Sequence, residues 1–206
     1  MSIPEVPLVT RSIQEARVVL ASASPRRSEL LTQAGIPFVV DPSDIPEIPE
    51  PDWDPCELAT RLASRKAVDV ANRHPDADLI IGADTVVVVD QEVFGKPQDV
   101  EDAVRMLKRL SGRAHAVVTG WSLVDPKRDH AMSEFTSSRV FFAELDEETI
   151  RRYVATGEPM DKAGAYAIQG KAGLFVQAIE GDYANIVGLP IAAIGQALRQ
   201  FGWHVI

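Results

Sequence analysis

Apolar positions along this chain switch repeatedly between the spacing of a strand and the spacing of a helix. Val18 to Ala21 is a short unbroken apolar run and predicts a buried strand. It leads into Ser24-Pro25-Arg26-Arg27, where the serine can cap a helix and the proline suits its first position. Leu30, Leu31 and Ala34 then form an inner face that Gly35 ends. Phe38 to Val40 reads as a second strand, and the prolines from Pro42 to Pro55 break the chain into a surface loop. Asp54, with Glu57 as capping-box partner, opens a long helix to about Arg73 whose inner face holds Leu58, Leu62, Lys66 and Val70.

Leu79 to Val89 is a nearly continuous β-branched run, a central strand with Gly82-Ala83-Asp84-Thr85 set inside it. Asp99 caps a helix that buries Ala103, Met106, Leu107 and Leu110 and stops at Ser111-Gly112. Ala116 to Val124 and Ser133 to Phe142 flank Asp125-Pro126-Lys127 as a hairpin. Asp146 caps a helix with Leu145 and Ile150 as a hydrophobic staple and Gly157 at its end. Leu174 to Ile179 and Ile186 to Val187 read as strands around Glu180-Gly181-Asp182, and a last helix begins near Pro190. The pattern predicts an α/β fold, a mixed sheet flanked by helices with an antiparallel hairpin portion. Residues 1–16 are expected to be a loosely ordered lead-in and 17–206 a single domain.

Composition changes this picture only in its partners. The apolar share of 46% and charged share of 25% are those of an ordinary globular chain. A formal charge of −9 argues against a general nucleic-acid binder, so any bound phosphate must meet a local cationic pocket. The single cysteine, Cys56, excludes an internal disulfide framework and a multi-thiolate zinc cluster. The N-terminal segment lacks the basic-then-apolar profile of a signal peptide, and no run approaches the roughly 20 apolar residues that span a bilayer. The expectation is a cytoplasmic protein without a membrane segment.

Neither a Walker loop nor a dinucleotide fingerprint occurs, and the four histidines are scattered. Candidate chemistry lies elsewhere. Arg26 and Arg27 stand on a helix start, where exposed amides favour an anion but the macrodipole opposes cations; they are a phosphate clamp or a solvated pair. Lys66 stands four residues from both Leu62 and Val70 on an inward face, so its ammonium snorkels out or meets anions. Asp84 inside an apolar run needs a metal, a cation or several donors, unless it caps a turn helped by Gly82. Lys96 sits in a loop stiffened by Gly95 and Pro97. Glu158 to Gly170 mixes small and polar residues like a shaped wall. Within it Gln169 is either a plain loop residue or a donor and acceptor for the edge of uracil or thymine.

Taken together, LASASPRRSELL, LASRKA, GADTVVVVDQEVFGKP and GEPMDKAGAYAIQGKAGLFVQAIEGDYANIVGLP resemble the Maf-like nucleoside triphosphate pyrophosphatases, in order from about Val18 to the final helix. The resemblance implies an elongated α/β fold with a central cleft like that of inosine triphosphatases, a divalent cation (Mg²⁺ or Mn²⁺) and a homodimer. It makes Asp84 the catalytic proton acceptor, has Ser22, Arg26, Arg27, Lys66 and Lys96 hold the triphosphate, and sets Glu47 with Asp84 at the metal. Arg26, Thr85 and Gln169 match positions linked to substrate choice. Many members carry two adjacent acids where this chain has Pro46-Glu47. The YAIQG segment resembles the branch acting on dTTP and UTP rather than the one acting on N7-methylated GTP.

The implied reaction is attack of water on the α-phosphorus, giving the monophosphate and pyrophosphate, with Asp84 acting as base or chiefly as metal ligand. Two other classes compete. A nucleotide sensor would bind a triphosphate without turnover, and a nucleic-acid module would need a basic stripe interleaved with aromatics.

Overall fold

A computed structural model describes residues 11–46 and 53–206. The apolar runs become strands β2 (Val18–Leu20), β3 (Val39–Val40), β4 (Leu79–Val89), β5 (Glu92–Phe94), β6 (Ala114–Asp125), β7 (His130–Phe142) and β8 (Val176–Glu180) of one mixed sheet. Two further short strands, β1 (Arg11–Ser12) and β9 (Trp203–His204), pair with each other. The main sheet has the order β3-β2-β4-β6-β7-β8, with β5 folded back on β4. β2 runs parallel to β3 and β4, whereas β4, β6, β7 and β8 are successively antiparallel. The predicted hairpin is the long β6–β7 pair, which carries register from Ala114↔Phe141 to Asp125↔His130.

The helices are α1 (Pro25–Gln33), α2 (Pro55–Arg73), α3 (Val100–Leu110), α4 (Glu147–Val154), α5 (Tyr183–Val187) and α6 (Ile191–Gln200). Side chains alternate across β4, and the alternation sorts them into layers. Ile80 and Val86 join separate apolar clusters with residues of α2, Ala67 and Val70 in one, Leu58, Ala59 and Leu62 in the other. On the opposite face Leu79, Ile81 and Ala83 pack with α1 and α6, and Val87 and Val89 with α3 and α4. Asp84 and Thr85 fall where the clusters of each face give way to one another, so the middle of the central strand is where polar groups reach a gap in the core.

Helix α2 lies unusually close to the sheet, and two glycines make room for it. A Cβ on Gly82 would stand 2.3 Å from the Ala63 carbonyl oxygen, and one on Gly120 would stand 2.2 Å from that of Ala59. Gly82 therefore serves close packing inside a continuous strand, and Asp84 does not cap a turn there.

Several local expectations are corrected. Ile186 and Val187 end helix α5 instead of forming a strand. The Asp182 side chain accepts from the Ala184 amide to start the turn, and helical geometry sends Ile186 to one core cluster and Val187 to the other. Leu174 and Phe175 belong to a 3-10 turn, with β8 starting only at Val176. At the start of α2, Asp54 accepts from the Cys56 and Glu57 amides, but the Glu57 carboxylate pairs with Arg61 rather than closing a capping box. Residues 11–16 of the supposed lead-in are built into the fold: Arg11–Ser12 pairs with β9, and Ile13 is fully buried.

Candidate active site

A cleft of about 760 Å³ opens at that gap. The β2–α1 turn supplies Ser22 to Arg27, β4 supplies Asp84 to Val87, α2 supplies Leu58, Leu62 and Lys66, and the segment after α4 supplies Asp161 to Ala163 and Tyr166 to Gln169. Arg26, Arg27, Lys66, Lys96 and Lys162 line it together with Asp84 and Asp161. In a chain of net charge −9, this is the local cationic pocket that a phosphate requires.

Lys66 and Asp84 explain one another. The helix carries Lys66 inward and the strand carries Asp84 toward it, and Lys66 Nζ donates to Asp84 Oδ1 at 2.6 Å. Both residues are 7% exposed, so the ammonium does not snorkel away from the core. The pairing offsets the desolvation that either charge would suffer alone.

Arg27 is held along its whole guanidinium. Its Nε donates to the Gly188 carbonyl at 2.8 Å, Nη1 to Ser22 Oγ at 2.8 Å and Nη2 to Thr85 Oγ1 at 3.0 Å. Ser22 Oγ also accepts the Ser24 amide at 3.3 Å. With its lone pairs engaged this way, the Ser22 hydroxyl proton is the group left to donate toward an anion. Ser24 occupies the cap position of α1 but makes no side-chain cap bond. Arg26 is more loosely placed, 3.7 Å from Asp161.

The structure thus brings Ser22, Arg26, Arg27, Lys66, Asp84, Thr85, Lys96 and Gln169 to one cleft, while Glu47 lies outside the described residues. Trp53, which the sequence did not single out, also lines it, as do Lys162 and Tyr166, which were legible only as members of the Glu158 to Gly170 wall. Tyr166 is fixed from behind: its hydroxyl and His115 Nε2 are 2.8 Å apart, and its ring packs edge-on against Phe142. Burial pushes the His115 pKa down to about 4 and the Tyr166 phenol up, so both are neutral near pH 7. His115 is a structural histidine.

No group of three or more histidine, cysteine, aspartate or glutamate ligands occurs among the described residues. The donors that are present suit a hard cation that arrives with its substrate. Mg²⁺ and similar ions are commonly held by one or two carboxylates plus phosphate oxygens, and Asp84 is a carboxylate on the wall of a cationic cleft.

A concave site of this size, lined by five cations together with Asp84 and Asp161, suits a small polyanion rather than a polymer. The chain belongs to the Maf-like protein family, which matches residues 17–201. It is similar to proteins named dTTP/UTP pyrophosphatase. The one from Geobacter metallireducens is 53% identical over 92% of this chain and 98% of the relative. That from Geobacter sulfurreducens is 51% identical over 92% and 99%, and that from Pelotomaculum thermopropionicum 49% over 92% and 98%. Among solved structures, a nucleoside-triphosphatase / dITP/XTP pyrophosphatase from Mycobacterium abscessus aligns with a TM-score of 0.39 and 18% identity. The alignment covers 63% of this chain and 75% of that one, a distant likeness that decides nothing about this site.

Proposed function

We propose that this protein hydrolyses dTTP and UTP to the nucleoside monophosphate and pyrophosphate. The observation that carries the reading is Asp84, ion-paired to Lys66 on the wall of a cleft lined by Arg26, Arg27 and Lys96, in a chain about half identical to proteins named for that reaction. Lys66, Arg26, Arg27, Lys96 and the Ser22 hydroxyl bind the triphosphate and offset charge on its oxygens as the α–β bond breaks. Water attacks the α-phosphorus, Asp84 accepts its proton, and pyrophosphate leaves toward the cations. A divalent cation held by Asp84 and the phosphates, with Glu47 as the further carboxylate, supplies additional charge neutralisation when bound. Gln169 offers an amide donor and a carbonyl acceptor to the pyrimidine edge, which accounts for a preference for thymine and uracil.

The same reading pairs the chain as a homodimer, as the family resemblance implies, and takes the cytoplasm as its compartment; among the described residues no helix is long and apolar enough to cross a membrane. Hydrolysis in water labelled with heavy oxygen tests the chemistry. Attack at the α-phosphorus puts the label in dTMP; label in the pyrophosphate instead would mean attack at the β-phosphorus and leave Asp84 without its role as base for water at the α-phosphorus.

A further inference from the structure

Behind the cleft, a row of buried polar groups ends on Arg27. Thr85 and Thr119 face each other across β4 and β6, with their Oγ1 atoms 3.0 Å apart. Thr119 is fully buried, and its Oγ1 lies 3.0 Å from the Asn185 carbonyl oxygen. A carbonyl only accepts, so the Thr119 proton points to Asn185, and Thr119 must accept from Thr85. Thr85, having given its proton to Thr119, meets Arg27 as an acceptor, which is the one role an arginine partner allows. The bonds therefore run head to tail from the Arg27 guanidinium through Thr85 and Thr119 to a backbone carbonyl, each polarising the next.

The far end of the row is anchored. Asn185 is fully buried and donates Nδ2 to the Val117 carbonyl and to Ser138 Oγ, each at 2.9 Å. Ser138 Oγ in turn donates to the Asp182 carbonyl and accepts the Asp182 amide. Three residues after Asn185, the Gly188 carbonyl accepts directly from Arg27 Nε. The α5 segment thus holds the arginine twice, once itself and once through two threonines. An isosteric valine would fill the Thr119 site without the desolvation of a hydroxyl, so packing alone does not account for a threonine there.

We propose that Thr119 and Asn185 are positioning residues for triphosphate binding: they fix the direction of the Thr85 hydroxyl and, through it, hold the Arg27 guanidinium toward the phosphates. The proposal rests on the reading that Arg27 holds the triphosphate. The Thr85 hydroxyl gives its proton to Thr119 and accepts from Arg27, so Thr85 acts on the substrate in part through Arg27.

The test is a double-mutant cycle of Thr119→Val with Arg27→Lys, beside Thr119→Ser, measuring pyrophosphate release from dTTP and UTP together with the melting temperature. Thr119→Val is expected to raise KM about three- to tenfold for both substrates, the range of one net hydrogen bond, with a smaller change in kcat. Thr119→Ser keeps the hydroxyl and restores KM. In the Arg27→Lys background the valine changes KM by less than about twofold, because the group it orients has already gone. A valine variant that melts earlier yet keeps the wild-type KM, or whose effect multiplies fully with Arg27→Lys, overturns the proposal. Should the valine variant not fold, Thr85→Val cuts the same row at a partly exposed position and must show the same non-additivity. If the wild-type protein released no pyrophosphate, the hydrolase reading would fail separately, and the same cycle read as dTTP affinity by calorimetry would still decide this one.

Discussion

Lys66 and Asp84 reach each other from different layers, the lysine from the inner face of α2 and the aspartate from the middle of β4, and meet at 2.6 Å. They lie between the apolar cluster of Ile80, Ala67 and Val70 and that of Val86, Leu58 and Leu62, where neither charge is well solvated. Removing the lysine therefore costs both fold and function. Lys66→Met is expected to lose about 3 kcal/mol of stability, the lower end for breaking a buried pair, and to abolish turnover. Asp84→Asn leaves the Lys66 ammonium buried without this counter-charge and is expected to lose turnover with a stability loss of the same order. Chemical denaturation alongside the kinetic assay checks both variants. A loss below about 1 kcal/mol in either, the range of a surface pair, would contradict the account of a buried pair.

The buried His115 makes stability depend on pH. Its folded-state pKa of about 4 lies below the unfolded value near 6.5, so the unfolded chain takes up a proton that the folded chain refuses. The contribution is fully present above pH 6.5 and is lost as the pH falls toward 4, by about 3 kcal/mol in total. The neighbouring Tyr166 hydroxyl stays neutral and does not oppose that loss. A His115→Gln variant is expected to be less stable at pH 8 but to show a shallower decline between pH 6.5 and 4. Parallel melting curves for the two proteins over that range would count against the assignment.

Two glycines set how closely α2 approaches the sheet and hence how Lys66 reaches Asp84. Gly120→Ala would press a methyl group into the Ala59 backbone, and Gly82→Ala one into that of Ala63. Backbone cannot yield as a flexible side chain does, so each substitution is expected to cost about 3 kcal/mol or more. Gly95→Ala is the control, since a Cβ there meets nothing within 4 Å. Thermal unfolding of the three variants checks the contrast.

Much of this architecture was legible because the informative positions are local. Cap residues at Asp54, Asp99 and Asp146 and the apolar runs at Leu79 to Val89 and across the β6–β7 hairpin translate directly into elements. What escaped was non-local or atypical. Strand β5 follows a two-residue turn at Asp90-Gln91, both with positive φ, in which neither residue is the glycine that usually marks such a hairpin. Helix α5 is five residues long, too short to show helical periodicity, so Ile186 and Val187 look like strand. For the site, Lys66 and Asp84 announced themselves as charges in apolar surroundings. Thr119 and Asn185 gave no such signal, because a buried hydroxyl or amide is ordinary in sequence and acquires meaning only from the partners the fold brings to it.

Base selectivity provides a further check. Gln169 lies on the cleft wall three residues after Tyr166, whose hydroxyl is tied to His115. Gln169→Leu removes donor and acceptor together and is expected to lower kcat/KM for dTTP and UTP about tenfold or more, while turnover of GTP changes little. A uniform loss across all bases would mean that Gln169 shapes the wall without reading the base.

Pyrophosphate release from dTTP, UTP, CTP, GTP and N7-methylated GTP with Mg²⁺ or Mn²⁺, run beside Asp84→Asn, tests the central claim most directly. Turnover of dTTP and UTP well above the others, lost in the variant, is the predicted result. Stable binding of a triphosphate with no pyrophosphate released, or turnover undiminished in Asp84→Asn, would contradict it.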